Sequence, residues 1–406
     1  DNNWLHEWAF QEALRREGVL ATPNQFVRLV LNGADRGVYA LQAGFGPELP
    51  TTQSRPPGPI VEYDATRLWQ ALAAAGGNVE AATADPVTNL TAADFRFFEV
   101  DTFRDAAFAD DPVLAAQRDA AIGLLRGLQS GQLTAAELFD VEKYGRFLAL
   151  ADLWGAAGAV ELVNLRYYYH PDTGKLEPIG FNAAPTPADP GRRISLAQTY
   201  GDSALQAATV QALAAVSQPD YLAGLEADLD AAWQAQNAQL PPAQRQAAPW
   251  AALAERQALL RQSLQPDQPV FAYLGAPERT ADGVIQVDLA NVLNLPVEIL
   301  GFDIDGATFL EADRAWLQGD WQSRLLADEN RLILKPVAPE TAVLPYLRFH
   351  LPLAQILAQD AELDFNQEPV IRVATRLWGM DDVQLTPARV GYPEPFAQPA
   401  PAADQE

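Results

Sequence analysis

Near Gln268 the hydrophobic period of the chain changes, and that change restricts the available folds more than any single motif does. Upstream, apolar residues recur at helical spacing over long stretches. Downstream come short β-rich runs, "PVFAYLGA", "GVIQVDLANV", "LPVEILGFDID", "RLILKPV", "AVLPYLRFHLP" and "PVIRVATRLWG", separated by Pro, Gly and Asn turns. Evenly spaced short strands of this kind are the pattern of a β-sandwich. A chain of 406 residues exceeds one ordinary core. The expectation is therefore an α+β domain over 1–266, an immunoglobulin-like β-sandwich over 267–390 and a Pro/Ala-rich, disordered tail over 391–406.

Within the first region, spacing predicts a helix from Trp4 to Arg16, then two strands in "QFVRLVLNGADRGVYALQ" around an Asn32-Gly33 turn. Gly44 to Pro59 reads as a mobile loop, and helices are expected over Asp64 to Ala75 and Asp111 to Leu128. Thr134 with Glu137 forms a capping-box pattern opening one continuous helix to Trp154. A hairpin follows: Val160 to Tyr169, a Pro171–Gly174 turn, and Leu176 to Phe181. Three more helices are expected near 203–216, 219–239 and 242–264.

Composition narrows the chemistry. A net charge of −25 argues against nucleic acid, because phosphate backbones are held by Lys and Arg stripes. With no cysteine there is no thiolate nucleophile and no disulfide framework, and His6, His170 and His350 lie far apart in sequence. No apolar run is long enough to cross a bilayer, so any membrane association is expected through segments outside this sequence, whose opening reads as the middle of a longer chain.

The order of the parts resembles the spore-coat-protein-H (CotH) kinase family of atypical, secreted or surface-exposed protein kinases. The matching pieces are the opening helix, "FVRLVLNGADRGVYAL", "FDVEKYGRFLALADLWG" and "VNLRYYYHPDTGKLEPIGF", together covering about Trp4 to Leu264, with the family's earliest strands missing. The resemblance implies a kinase-like fold, ATP and Mg²⁺ as cofactors, and a location at the outside of a bacterial cell. Phosphoryl transfer needs positioned phosphates, a metal ion and an acid that aligns the acceptor hydroxyl.

Laid on the family's Ile-Pro-Trp-Asp-x-Asp motif, Asn182 falls on the first metal carboxylate and Ala184 on the second. The expected glutamate after the Gly-x-Tyr strand falls near Gln42 or Ala43. The resemblance thus implies Glu161 and Asn164 as catalytic candidates, Lys143, Arg166 and Tyr168 as nucleotide-binding candidates, and Asn182 as a metal ligand. Four of these have a plainer reading beside them: Asn182 as a turn amide, Lys143 as a solvated helix lysine, Glu161 as a solvated strand carboxylate, and Tyr168, with Tyr167 and Tyr169, as alternating core and surface.

Elsewhere, Asp303, Asp305 and Gly306 do not complete a calcium loop, Asp105, Asp110 and Asp111 form an acidic patch at a helix start, and Asn89-Leu90-Thr91 is a minimal glycosylation pattern. Three functions stay open. One is a pseudokinase with degenerate metal-binding acids that binds a protein, nucleotide or surface ligand. Another is an active ATP-dependent kinase with a rewired metal site, and a third is an adhesive or carbohydrate-facing surface module.

Overall fold

The computed structural model describes residues 4–78, 81, 96, 98–104, 108, 110–183, 201–275, 283–338, 341–359, 370–391 and 393. Ala184, Asp105, the Asn89 tripeptide and nearly all of the 391–406 tail lie outside those residues. The architecture is mixed α and β, in two compact units: Asp1–Tyr200 with Gln211–Arg261, and Gly201–Val210 with Gln262–Glu406.

The first unit begins with α1 (Trp4–Arg16), β1 (Leu20–Ala21) and the hairpin β2 (Asn24–Leu31) and β3 (Ala34–Gln42). Asn32 and Gly33 both have positive φ, 53° and 79°, which is the conformation a two-residue hairpin turn requires. Next come β4 (Ile60–Asp64), α2 (Thr66–Ala74), β5 (Glu99–Thr102), α3 (Pro112–Gln129), α4 (Ala135–Leu138) and α5 (Val141–Trp154). The hairpin β6 (Arg166–His170) and β7 (Lys175–Gly180) leads on to α6 (Ser203–Val216), whose residues 203–210 are counted with the second unit, and then to α7 (Pro219–Gln239) and α8 (Trp250–Ser263). One sheet runs β1-β7-β6-β4-β5, antiparallel except for the β1 and β7 pair.

Both faces of this sheet are covered, and that explains the tyrosine run. Tyr167 packs toward the helices, its ring centroid 4.9 Å from Phe139 and its hydroxyl 2.8 Å from that of Tyr144. Tyr168 points the opposite way, into a cluster with Leu20, Leu49, Ile60 and Ile179. Both are fully buried, so the expected alternation of core and surface does not hold. The segment read as a mobile loop supplies the second cover. Leu49 and Phe45 pack on the cluster, a 3₁₀ turn forms over Pro50–Gln53, and the Gln53 amide bonds to both backbone groups of Ala21.

Three further expectations are corrected. The single helix from Thr134 to Trp154 is broken at Phe139 and Asp140, because the Asp140 amide donates to the Leu176 carbonyl of β7 at 2.9 Å and the Asp140 carboxylate caps α5 at Lys143 N. The strand read from Val160 starts only at Arg166. Before it lie two 3₁₀ turns, Ala157–Val160 and Leu162–Asn164, tied by the Asn164 amide donating to the Gly158 carbonyl at 2.8 Å. The helix expected from Asp64 starts instead at Thr66, since Asp64 ends β4.

The second unit holds β8 (Val270–Leu274), β9 (Val284–Asn291), β10 (Val297–Ile304), β11 (Thr308–Glu311), β12 (Leu317–Gln318), β13 (Leu332–Leu334), β14 (Leu347–Pro352), the helix α9 (Leu353–Gln359), β15 (Ile371–Leu377), β16 (Val383–Pro387) and β17 (Arg389–Val390). These form two sheets, β11-β10-β15-β16 with β13 beside β10, and β12-β14-β9-β8-β17. The rings of Phe302 from one sheet and Phe349 from the other meet at 5.1 Å, both fully buried. The charged residues of the β10 strand are paired: Glu298 with Arg331 and Arg376, and Asp303 with Arg372.

Gly180, where β7 leaves the sheet, lies so close to α1 that an added Cβ would sit 2.0 Å from Leu14 Cδ1. Replacement Gly180→Ala is expected to lower stability by about 1–3 kcal/mol through overpacking, measured as a fall in the urea midpoint of the first unfolding transition.

Candidate functional site

The residues singled out from sequence fall into three groups on the β6–β7 hairpin and its surroundings. At the exit of β7, Asn182 takes a left-handed conformation, φ 59°, which Asn adopts at lower cost than most residues. The backbone amides of Asn182 and Ala183 both donate to the Glu7 carboxylate of α1. Burial raises the Glu7 pKa, and these amides and the Gln11 side chain oppose that rise. From Glu7 the network continues: Gln11 Nε2 donates to Glu7 at 2.7 Å, Gln11 Oε1 accepts from Thr22 N at 2.8 Å, and Thr22 Oγ1 reaches the Gly180 carbonyl at 3.2 Å. Gln42, the residue laid on the missing glutamate, joins it through Thr22 Oγ1 at 2.8 Å. A carboxylate therefore does approach this exit, from α1, and it is bonded to main-chain amides.

The second group is centred on Glu177, which register places opposite Tyr168. Glu177 is 1% exposed in the interior of the strand "KLEPIG", whose other buried residues are apolar, and two cations hold its carboxylate. Lys143 Nζ lies 2.6 Å from Oε1 and 3.1 Å from Asp140, while Arg55 Nε lies 2.7 Å from Oε2. Lys143 is consequently a half-buried partner of a strand carboxylate, in contrast to the solvated helix lysine of its plainer reading. The Tyr168 hydroxyl donates to the Pro56 carbonyl at 2.8 Å, and burial raises its pKa.

In the third group Arg166 is clamped. Its Nη2 lies 2.8 Å from Glu62 Oε2, its Nη1 donates to the Val163 and Leu165 carbonyls at 2.9 Å, and its guanidinium sits 5.2 to 5.7 Å from the ring centres of Phe103, Phe45 and Phe181. Aromatic faces attract a guanidinium most where water is excluded, and this side chain is 11% exposed. Glu161 is not on a strand: it accepts from the Asn164 amide at 3.2 Å, at the junction of the two 3₁₀ turns. The structure thus brings Glu161, Asn164 and Arg166 to one turn and Lys143 to the Tyr168 face, and holds Asn182 with Glu7.

Sequence reasoning missed the partners: Glu7, Arg55, Glu62 and Glu177. For Glu177 and Glu62 the available signal was an acid in the interior of a mostly apolar strand, as in "KLEPIG" and "IVEYD", where a buried charge survives only if it is paired; Glu7 and Arg55 gave none. Among the described residues no group of three or more His, Asp or Glu side chains is arranged to hold a metal ion. None of their helices is long and apolar enough to cross a membrane. Compared with models of known protein families and with curated proteins, the chain shows no match.

Glu62 carries a testable pH dependence. Burial pushes its pKa up to about 7; Arg166 opposes this, and Asp64 and Asp101 reinforce it. The folded protein therefore holds a proton there that the unfolded chain gives up near the ordinary glutamate value, so stability falls as pH rises from about 4.5 through about 7. Glu62→Gln, which keeps the neutral shape, is expected to flatten the fall in melting temperature measured between those two pH values.

Proposed function

We propose that this chain is a non-catalytic relative of the CotH-like kinases: a pseudokinase-type α+β domain followed by a β-sandwich, acting as a binding module on the outside of a bacterial cell. The order of its sequence pieces supports the kinship, and the contact of Phe302 with Phe349 between two sheets, antiparallel except for the β8 and β17 pair, supports the sandwich. The observation that carries the loss of catalysis is the double use of Glu177. Lys143, the candidate phosphate lysine, is bonded to it at 2.6 Å and shares it with Arg55.

Phosphoryl transfer depends on cations free to meet the β- and γ-phosphates and on carboxylates free to hold Mg²⁺. In this domain Lys143 is committed to Glu177, which Arg55 also holds, Arg166 faces Glu62, and the carboxylate at the β7 exit accepts from two backbone amides. Moving Lys143 to a nucleotide would leave the buried Glu177 with Arg55 alone, and moving Arg166 would part it from Glu62; breaking a buried pair costs about 3–5 kcal/mol at most.

The expected outcome with radiolabelled ATP and either Mg²⁺ or Mn²⁺ is no label on the protein or on a generic acceptor above a protein-free control. Label that does accumulate, and that disappears in Asn182→Gly, would return the domain to the active kinases. A parallel thermal-shift series reads binding apart from transfer, because a ligand at one hundred times its dissociation constant adds about 2.7 kcal/mol.

A further inference from the structure

The second unit carries a surface cleft of about 710 Å³ between β11, the 3₁₀ turn Arg314–Trp316 and α9. Two aromatic rings stand among its largely polar lining. Phe309 lies on the outward side of β11, 46% exposed, and its ring rests over the backbone of Gly301 on the neighbouring strand. A Cβ at Gly301 would stand 2.6 Å from Phe309 Cζ and 2.3 Å from the Leu310 carbonyl oxygen, so only glycine lets the ring lie there. The register of β10 against β15 also shifts at Gly301, an irregularity of the kind that re-aims neighbouring side chains. Trp316 adds a second ring to the lining, on a turn capped by the Asp313 carboxylate.

Polar side chains complete the walls. Gln355 and Gln359, one helical turn apart on α9, are exposed into the cleft beside Asn330. Glu311 and Glu329 supply carboxylates. The lining's one arginine, Arg314, donates to the carbonyls of Asp328, Glu329 and Arg331 and stacks 5.7 Å from Trp321, so its donors brace the walls.

We infer that this cleft binds a neutral oligosaccharide. Sugar rings present C–H faces that stack on an aromatic platform and hydroxyls that both donate and accept. Amides match both roles, and carboxylates accept from hydroxyls. The lining's three acids, Glu311, Asp313 and Glu329, outnumber its one arginine, and that excess of negative charge repels phosphorylated, sulfated or uronic ligands, which selects the uncharged ones. A cationic ligand would use the acids and rings but would leave the three amides' donors without acceptors. This site lies wholly in the second unit and is independent of the nucleotide reading of the first.

The test is calorimetric titration of the full chain with cellohexaose, maltohexaose, xylohexaose and hexa-N-acetylchitohexaose, with a hexalysine peptide alongside. At least one saccharide is expected to bind, with affinity falling about ten-fold in Phe309→Ala and again in Trp316→Ala. Gln355→Ala, at an exposed helix position, is a second variant whose fold is safe, and it should weaken binding too. Absence of binding by all four sugars, saccharide binding indifferent to these three substitutions in chains with unchanged circular dichroism, or binding of hexalysine alone would each overturn the inference.

Discussion

A buried carboxylate with two cations is the interaction on which the first unit depends. Glu177 sits at 1% exposure in the middle of β7, and an unpaired charge at that depth would cost several kcal/mol. Its two partners come from different parts of the chain: Arg55 from the segment that covers one face of the sheet, and Lys143 from the first turn of α5. Satisfying one carboxylate therefore fastens the cover segment, the strand and the central helix to each other. Arg55 extends the clamp by donating to the carbonyls of Gln53 and Gly18.

The same economy governs the rest of the hairpin. Arg166 has its donors answered by Glu62, which carries the opposing charge once pH passes about 7, and its faces by three phenylalanines, and the amides at the β7 exit are answered by Glu7. A phosphate-transfer site needs the reverse arrangement, with cations and anions held apart in readiness for a charged ligand. Here opposite charges have closed on each other. That closure, rather than the replacement of an acid by Asn182, is what makes a scaffold the favoured proposal.

Local features were legible in sequence and long-range ones were not. The Asn32-Gly33 turn, the capping box at Thr134 and the Pro171–Gly174 turn each follow from backbone preferences of a few adjacent residues, and each is present. The break in the helix at Phe139 was hidden because its cause is a hydrogen bond to Leu176, 36 residues away in number, 176 − 140. The ordered cover over 44–59 was hidden for the same reason: its Gly- and Pro-rich composition says loop, while Leu49 and Gln53 find partners on a sheet the composition does not mention. In the second unit the runs rich in Val, Ile and Leu appeared as strands, but Phe309 gave no sign of its platform, which requires Gly301 on the next strand.

The most direct test of this closure is a double-mutant cycle between Lys143 and Glu177, using Lys143→Met, Glu177→Gln and the pair, with stability read by urea unfolding. If the two charges are structural partners, the cycle yields a coupling of roughly 1–3 kcal/mol, with the double variant far less damaged than the singles sum to. Additive losses, with coupling indistinguishable from zero, would mean that Lys143 is not committed to Glu177 and stands free to meet a phosphate.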